Sequence, residues 1–165
     1  MSDLDALHQA ISATIHAAMP QLATVGSYAG VQQDTPLPAL FHGIVDIKPG
    51  ADPVDGHSRL VVTFEARISC DGQAALEAVI LATQLMVLLR KQYWNIDFVE
   101  EAVAIQAMPT TTSSSTWTVQ WQQALHLGEV QWPWPNQPPG SLVIAFDPDT
   151  GPEHESGYKA PEDFA

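Results

Sequence analysis

Residues 74–94, AALEAVILATQLMVLLRKQYW, hold the densest run of large apolar side chains in the chain. Leu76, Val79, Ile80, Leu81, Leu85, Met86, Val87, Leu88 and Leu89 cover more than half the circumference of a helix. Glu77, Gln84 and Lys91 recur every seven residues, with Thr83 and Arg90 beside them, so the polar positions fall on one narrow stripe. The pattern predicts a core helix with a sheet on one side and a second helix on another. A membrane span is a poor match, because it needs about 20 apolar residues. The stretch between Glu77 and Arg90 has 12 residues and already includes Thr83 and Gln84.

A helix this apolar needs enough chain around it to bury its dry face. The 165 residues suffice for one domain with a real core. The net charge of −13, from 19 acids and 6 bases, argues against a nucleic-acid-binding surface, which needs clustered Lys and Arg. A lone cysteine, Cys70, excludes an internal disulfide and a Cys-based zinc site, and fits a reducing compartment. Residues 1–9 have no basic region or apolar signal core.

Ahead of the central stretch, residues 2–19 predict a helix. Ser2 and Asp5 form a capping-box start with Asp in place of Glu. Leu4, Leu7, Ile11, Ile15 and Ala18 make the apolar stripe, and Pro20 stops it. His8 and His16 are two turns apart, a poor spacing for a metal pair, and read as solvated. Residues 24–30 and 39–47 predict strands around a proline-containing turn. His42 falls in the second. With no nucleophile to pair with it, it reads as a half-buried strand histidine. Residues 48–58 form a loop rich in Pro, Gly and Asp. Residues 59–70 alternate strictly, with Leu60, Val62, Phe64, Ala66, Ile68 and Cys70 on one face, and predict a strand antiparallel to 39–47. Asp71 is the expected N-cap of the central helix.

After the helix, residues 99–108 and 117–127 predict two more strands. On the second, Trp117, Val119, Trp121, Gln123, Leu125 and Leu127 share a face. The PTTTSSST between them, residues 109–116, reads as a solvated hairpin tip, either a mere connection or a contact loop. Residues 129–139, with four prolines and two tryptophans, predict an extended arm. A short strand at 141–146 and an acidic tail follow. Trp132, Trp134, Phe146, Tyr158 and Phe164 are rings this segment has little means to bury alone, so they are expected to cover a neighbouring subunit or partner. The acids Asp147, Asp149, Glu153 and Glu155 with His154 lack the glycine and acid positions of an EF-hand, and read as a solvated tail. No phosphate loop, nucleophile elbow or zinc-protease motif is present in the sequence.

The expected fold is α+β: a mostly antiparallel sheet with two helices on one face across residues 1–128, and an extended C-terminal arm across 129–165. The N-terminal helix, the strand RLVVTFEARISC, the helix ALEAVILATQLMVLLRKQYW and the hairpin around PTTTSSST come in an order that resembles the tail terminator (tail completion) family of long-tailed bacteriophages. The resemblance covers residues 1–127 and rests on element order and length. It implies a structural virion protein, assembled in the host cytoplasm and located at the head-proximal end of the tail. There it would form a hexameric ring on the tail tube protein, terminate the tube and present a surface to neck or connector proteins. It implies no enzyme activity, cofactor, metal or membrane association. DNA would pass through the lumen without specific binding, and Asp52 and Asp55 in the acidic loop are candidates to line it, because fixed negative charge repels the passing phosphates. Alternatives are a head-completion or neck protein, a small cytoplasmic enzyme using the acids at 147–155, and a plain oligomeric binding module.

Overall fold

The computed structural model describes residues 2–28, 30, 32–51, 57–110, 113–128 and 152–160. The chain divides into two compact units, residues 1–131 and 132–165.

In the first unit, helix α1 spans Asp3–Ala18, strand β1 Thr24–Ser27, β2 Ala39–Pro49, β3 Ser58–Ser69, helix α2 Ala75–Leu89, β4 Val103–Thr110 and β5 Ser113–Leu127. The five strands form one sheet in the order β1-β2-β3-β5-β4. Every pairing is antiparallel except β1 with β2, which run parallel. The fold is α+β, with both helices packed against the sheet. α1 lies at the β1/β2 side, and α2 packs mainly on β5 and β4. In the second unit, Pro152–Gly157 form a 3-10 turn.

α1 starts as its sequence dictates. The Ser2 hydroxyl accepts from the Asp5 amide at 3.2 Å while the Asp5 carboxylate accepts from the Ser2 amide at 3.1 Å, so the shorter acid completes the box. Leu7, Ile11 and Ile15 are fully buried. β3 keeps its strict alternation, with Val62, Phe64, Ala66 and Ile68 facing the helices and Phe64 stacked on Trp121 of β5 at 5.3 Å. The opposite sheet face is wet, as an antiparallel sheet permits. There Gln120 donates to Glu65 at 2.9 Å and Gln106 to Gln120 at 3.1 Å.

Four expectations shift. α2 begins with Ala74 at its N-cap and no side-chain cap; Asp71 contributes its carbonyl to the Ala74 amide instead. α2 also stops at Leu89 rather than running on to 94. Arg90 is extended, and Lys91, Trp94 and Asn95 take left-handed backbone angles. β4 starts at Val103, four residues late, because its run-in is held as a separate segment against β5, where Val99 bridges Leu125. The strands reach further into the Ser/Thr stretch than expected, and its tip at residues 111 and 112 lies outside the described residues. β4 runs to Thr110 and β5 begins at Ser113; Ser115 is buried, and its carbonyl accepts from the Cys70 amide at 3.0 Å. β-branched threonines fit a pleated strand as well as a turn, and the pairing to β3 decides between them.

The early end of α2 has a buried cause. Gln123 lies on the inner face of β5 and is completely buried. Its Oε1 accepts from the indole N–H of Trp94 at 2.7 Å and of Trp121 at 3.0 Å. Its Nε2 donates to the carbonyls of Gln92 and Glu100, each at 2.9 Å. These bonds clamp residues 90–102 onto the sheet and turn the chain off the helix axis. At the rim of the same segment Arg59 grips the Glu100 carboxylate with two bonds of 2.8 Å, and His126 adds a third of 2.8 Å. The Arg59 guanidinium, assisted by His126, holds the Glu100 carboxyl down at about 2.

Candidate interaction surfaces

α2 buries one face and leaves a second apolar face open. Ala78, Leu81, Ala82, Leu85 and Leu89 are buried in the core. Leu76 is 73% exposed, Val79 38%, Ile80 48% and Val87 66%. The polar stripe of Glu77, Thr83, Gln84 and Arg90 faces water as expected. The expectation of a wide dry face fully covered by sheet and second helix is corrected. The sheet and the C-terminal end of α1 cover the inner side of α2 only, and Leu76, Val79, Ile80 and Val87 stay exposed.

The spacing of the open face is specific. Leu76, Ile80 and Val87 follow one another at steps of 4 and 7 residues and so stand in one row along the helix, with Thr83 of the polar stripe between the last two. Beside it lies a shallow depression of about 440 Å³, lined by Ala18, Met19, Val87 and Leu88 with Gln21, Thr83 and Gln84 at its polar side.

A second apolar patch lies at the opposite side of the sheet. β1 pairs only with residues 39–42 of β2, which leaves the outer edge of β2 from Gly43 onward open. A register shift at Val45 bends this edge. Val45 is 54% and Ile47 53% exposed, and Tyr28 and Leu37 add apolar surface on the same side. The Tyr28 ring crosses Gly43 so closely that a Cβ there would meet it at 3.2 Å.

Under α1 the structure builds a polar cluster. His8 and His42 are both buried rather than solvated and half-buried. Their rings stack with centroids 5.4 Å apart. His8 Nε2 is bonded to the Tyr28 hydroxyl at 3.0 Å, and His42 Nε2 to the Ser12 hydroxyl at 2.8 Å. A serine therefore does sit against His42. It does not make a nucleophile pair of the usual kind: no carboxylate orients His42 Nδ1, which is buried without a partner, and the ring is 2% exposed. The sequence did carry a signal for the pair. His42 shares a strand face with Leu40 and Ile44, and His8 adjoins Leu7 on the dry side of α1.

Of the residues expected from sequence to form an interface or line a lumen, Tyr158 alone is among the described residues. Asp52, Asp55, Trp132, Trp134, Phe146 and Phe164 lie outside the described residues, as do Asp147 and Asp149 of the acidic tail. Tyr158 is half-buried in the second unit. Among the described residues no three His, Cys, Asp or Glu side chains converge as a metal set, and no helix is long and apolar enough to cross a membrane.

No family model matches the chain, and no curated protein matches it. Among solved structures, a protein whose name states no function aligns with 76% of this chain and 94% of its own at 17% identity and a TM-score of 0.41. A likeness of that size carries no functional argument.

Proposed function

We propose that this chain is the subunit of a ring that closes the head-proximal end of a phage tail tube and offers a surface to the neck, the role implied by its resemblance to tail terminators. The observation that carries the ring is the placement of its two open apolar patches. The α2 face lies over β5 and β4, while Val45 and Ile47 lie on β2, about 10–14 Å away across the sheet at the usual strand spacing. Exposed apolar patches of this kind mark association sites. Two different patches on opposite sides of a subunit suit head-to-tail contact, in which the α2 face of one copy meets the β2 edge of the next. Such heterologous contacts generate closed rings when the rotation closes. The wet sheet face then stays free for solvent or the lumen. On this reading Asp52 and Asp55 line the lumen, and converting both to Asn is expected to alter DNA ejection.

Mixing experiments test the geometry. Val87→Glu on α2 and the pair Val45→Asp with Ile47→Asp on β2 are each expected to abolish rings. Mixed together, the two variants retain one intact contact between them and form a heterodimer that cannot grow. If the β2 variant still forms rings or dimers by itself, the head-to-tail reading is wrong. For the tail role, electron microscopy of the purified protein with its tail tube protein is expected to show rings seated at one tube end with growth halted. Rings that ignore tubes and bind connectors instead would favour a head-completion protein.

A further inference from the structure

We propose that His8 and His42 form an acid-sensitive latch that holds α1 against the β1–β2 side of the sheet at neutral pH and releases it on protonation. The two rings stack at 5.4 Å with an interplanar angle of 25°, one from α1 and one from β2. Each uses Nε2 to tie two elements: His8 to Tyr28 joins α1 to the end of β1, and Ser12 to His42 joins α1 to β2. Each leaves Nδ1 buried with no hydrogen-bond partner.

A neutral imidazole tolerates an unpartnered Nδ1 as a lone pair or a weakly satisfied N–H. An imidazolium must bury two N–H donors and a full charge, here beside a second imidazole. The surroundings give little relief. β3 presents the Phe64 ring, 6.2 Å from His8, and Ala66, the β-partner of His42; neither carries charge. β1 contributes the neutral Tyr28 hydroxyl, and α1 contributes Ser12 and Asp5. Asp5 favours a charged His8, but it is committed to the helix cap and does not outweigh burial. Burial therefore holds His8 below its ordinary value, and holds His42 down at about 4, helped by His8.

The sign follows. Both folded values lie below the open-state value of 6.5, so protons bind the open form more tightly. The closed packing is complete above 6.5 and weakens as pH falls toward about 4. For His42 alone the bias toward opening grows by about tenfold per pH unit across that window. Its upper part lies above the ordinary range of carboxylates, which separates the latch from general acid unfolding. Opening of α1 exposes Leu7, Ile11 and Ile15 while β3 and β5 keep their own pairing, so the event is local opening of α1 and β1 rather than global collapse.

Hydrogen exchange of the full-length protein at pH 7 and pH 5, corrected for intrinsic rates, reads the latch directly. Amides of α1 and β1 are expected to lose protection by tenfold or more, while β3 and β5 hold theirs. In His42→Phe, which fills the site without a proton acceptor, the pH dependence of α1 is expected to flatten. Equal protection of α1 at both pH values, or an unchanged dependence in His42→Phe, overturns the latch. Should that variant not fold, the wild-type protein still decides. Ring resonances of His42 followed by NMR are expected to stay neutral to about 4, and titration near 6.5 with the ring in place would end the proposal.

Discussion

The two helices lie on the same sheet, and their outer faces could not be less alike. α1 shows water Asp3, Asp5, Gln9, Ala13, His16 and Ala17, with no large apolar side chain exposed. α2 shows water Leu76, Val79, Ile80 and Val87. Both bury their inner faces equally well. An amphipathic helix needs one dry stripe, and α1 has one; α2 has two. The difference teaches that packing on the sheet fixes a helix's inner face and leaves its outer face free to be polar, as in α1, or apolar, as in α2. The core does not require the second stripe, since Leu81, Leu85 and Leu89 already fill it.

That contrast breaks first if the inner faces are unequal. Leu85 and Ile11 are both completely buried. Leu85→Ala and Ile11→Ala are each expected to cost about 2–5 kcal/mol, the range for removing a large aliphatic side chain from a packed site. Urea unfolding of both variants measures it. A loss near zero for Leu85→Ala would mean that α2 is held by something other than its inner stripe.

Gln123→Leu sharpens the comparison next, because the Gln123 bonds fix the chain just beyond α2. The substitution leaves the indole N–H groups of Trp94 and Trp121 and the carbonyls of Gln92 and Glu100 without this partner. Each buried unpaired group costs about 1–3 kcal/mol, and these are coupled, so a loss of about 3 kcal/mol is expected. Trp94 emission should shift red as the segment after α2 loosens. A fully stable variant with unchanged emission would show that α2 is oriented by its own contacts alone.

How much of this was legible follows from which signals are local. α1, β3 and the inner face of β5 were readable because period and capping act within a few residues: the Ser2–Asp5 box and the alternation from Leu60 to Ile68 are complete in sequence. The end of α2 was not. Residues 90–94 contain neither Gly nor Pro, and the stop is imposed from 29 residues away by the bond between Trp94 and Gln123. The strand ends at Thr110 and Ser113 were not legible for a related reason, since pairing with a neighbouring strand decides how far each one runs. The open face of α2 was hidden because hydrophobicity tells how much a helix can bury, and only the topology tells how much the sheet reaches. Sheet and α1 meet only the inner side of α2.

The smallest effect on stability is the most informative about function. Ile80→Glu with Val87→Glu on α2, and Ala13→Glu on α1, all place a good helix former at an exposed position. Each change is expected to move the stability of the isolated subunit by no more than about 0.5 kcal/mol, since none removes a buried contact. Light scattering should then separate the helices. A carboxylate on α1 meets only water and leaves the assembled mass unchanged. Carboxylates at Ile80 and Val87 would have to be desolvated against an apolar partner, which is strongly unfavourable, so the α2 variant should remain a monomer. A monomer from both variants would mean that α1 also carries contacts. A ring from both would mean that the apolar stripe of α2 faces no neighbouring copy, and that its cover belongs to a different partner.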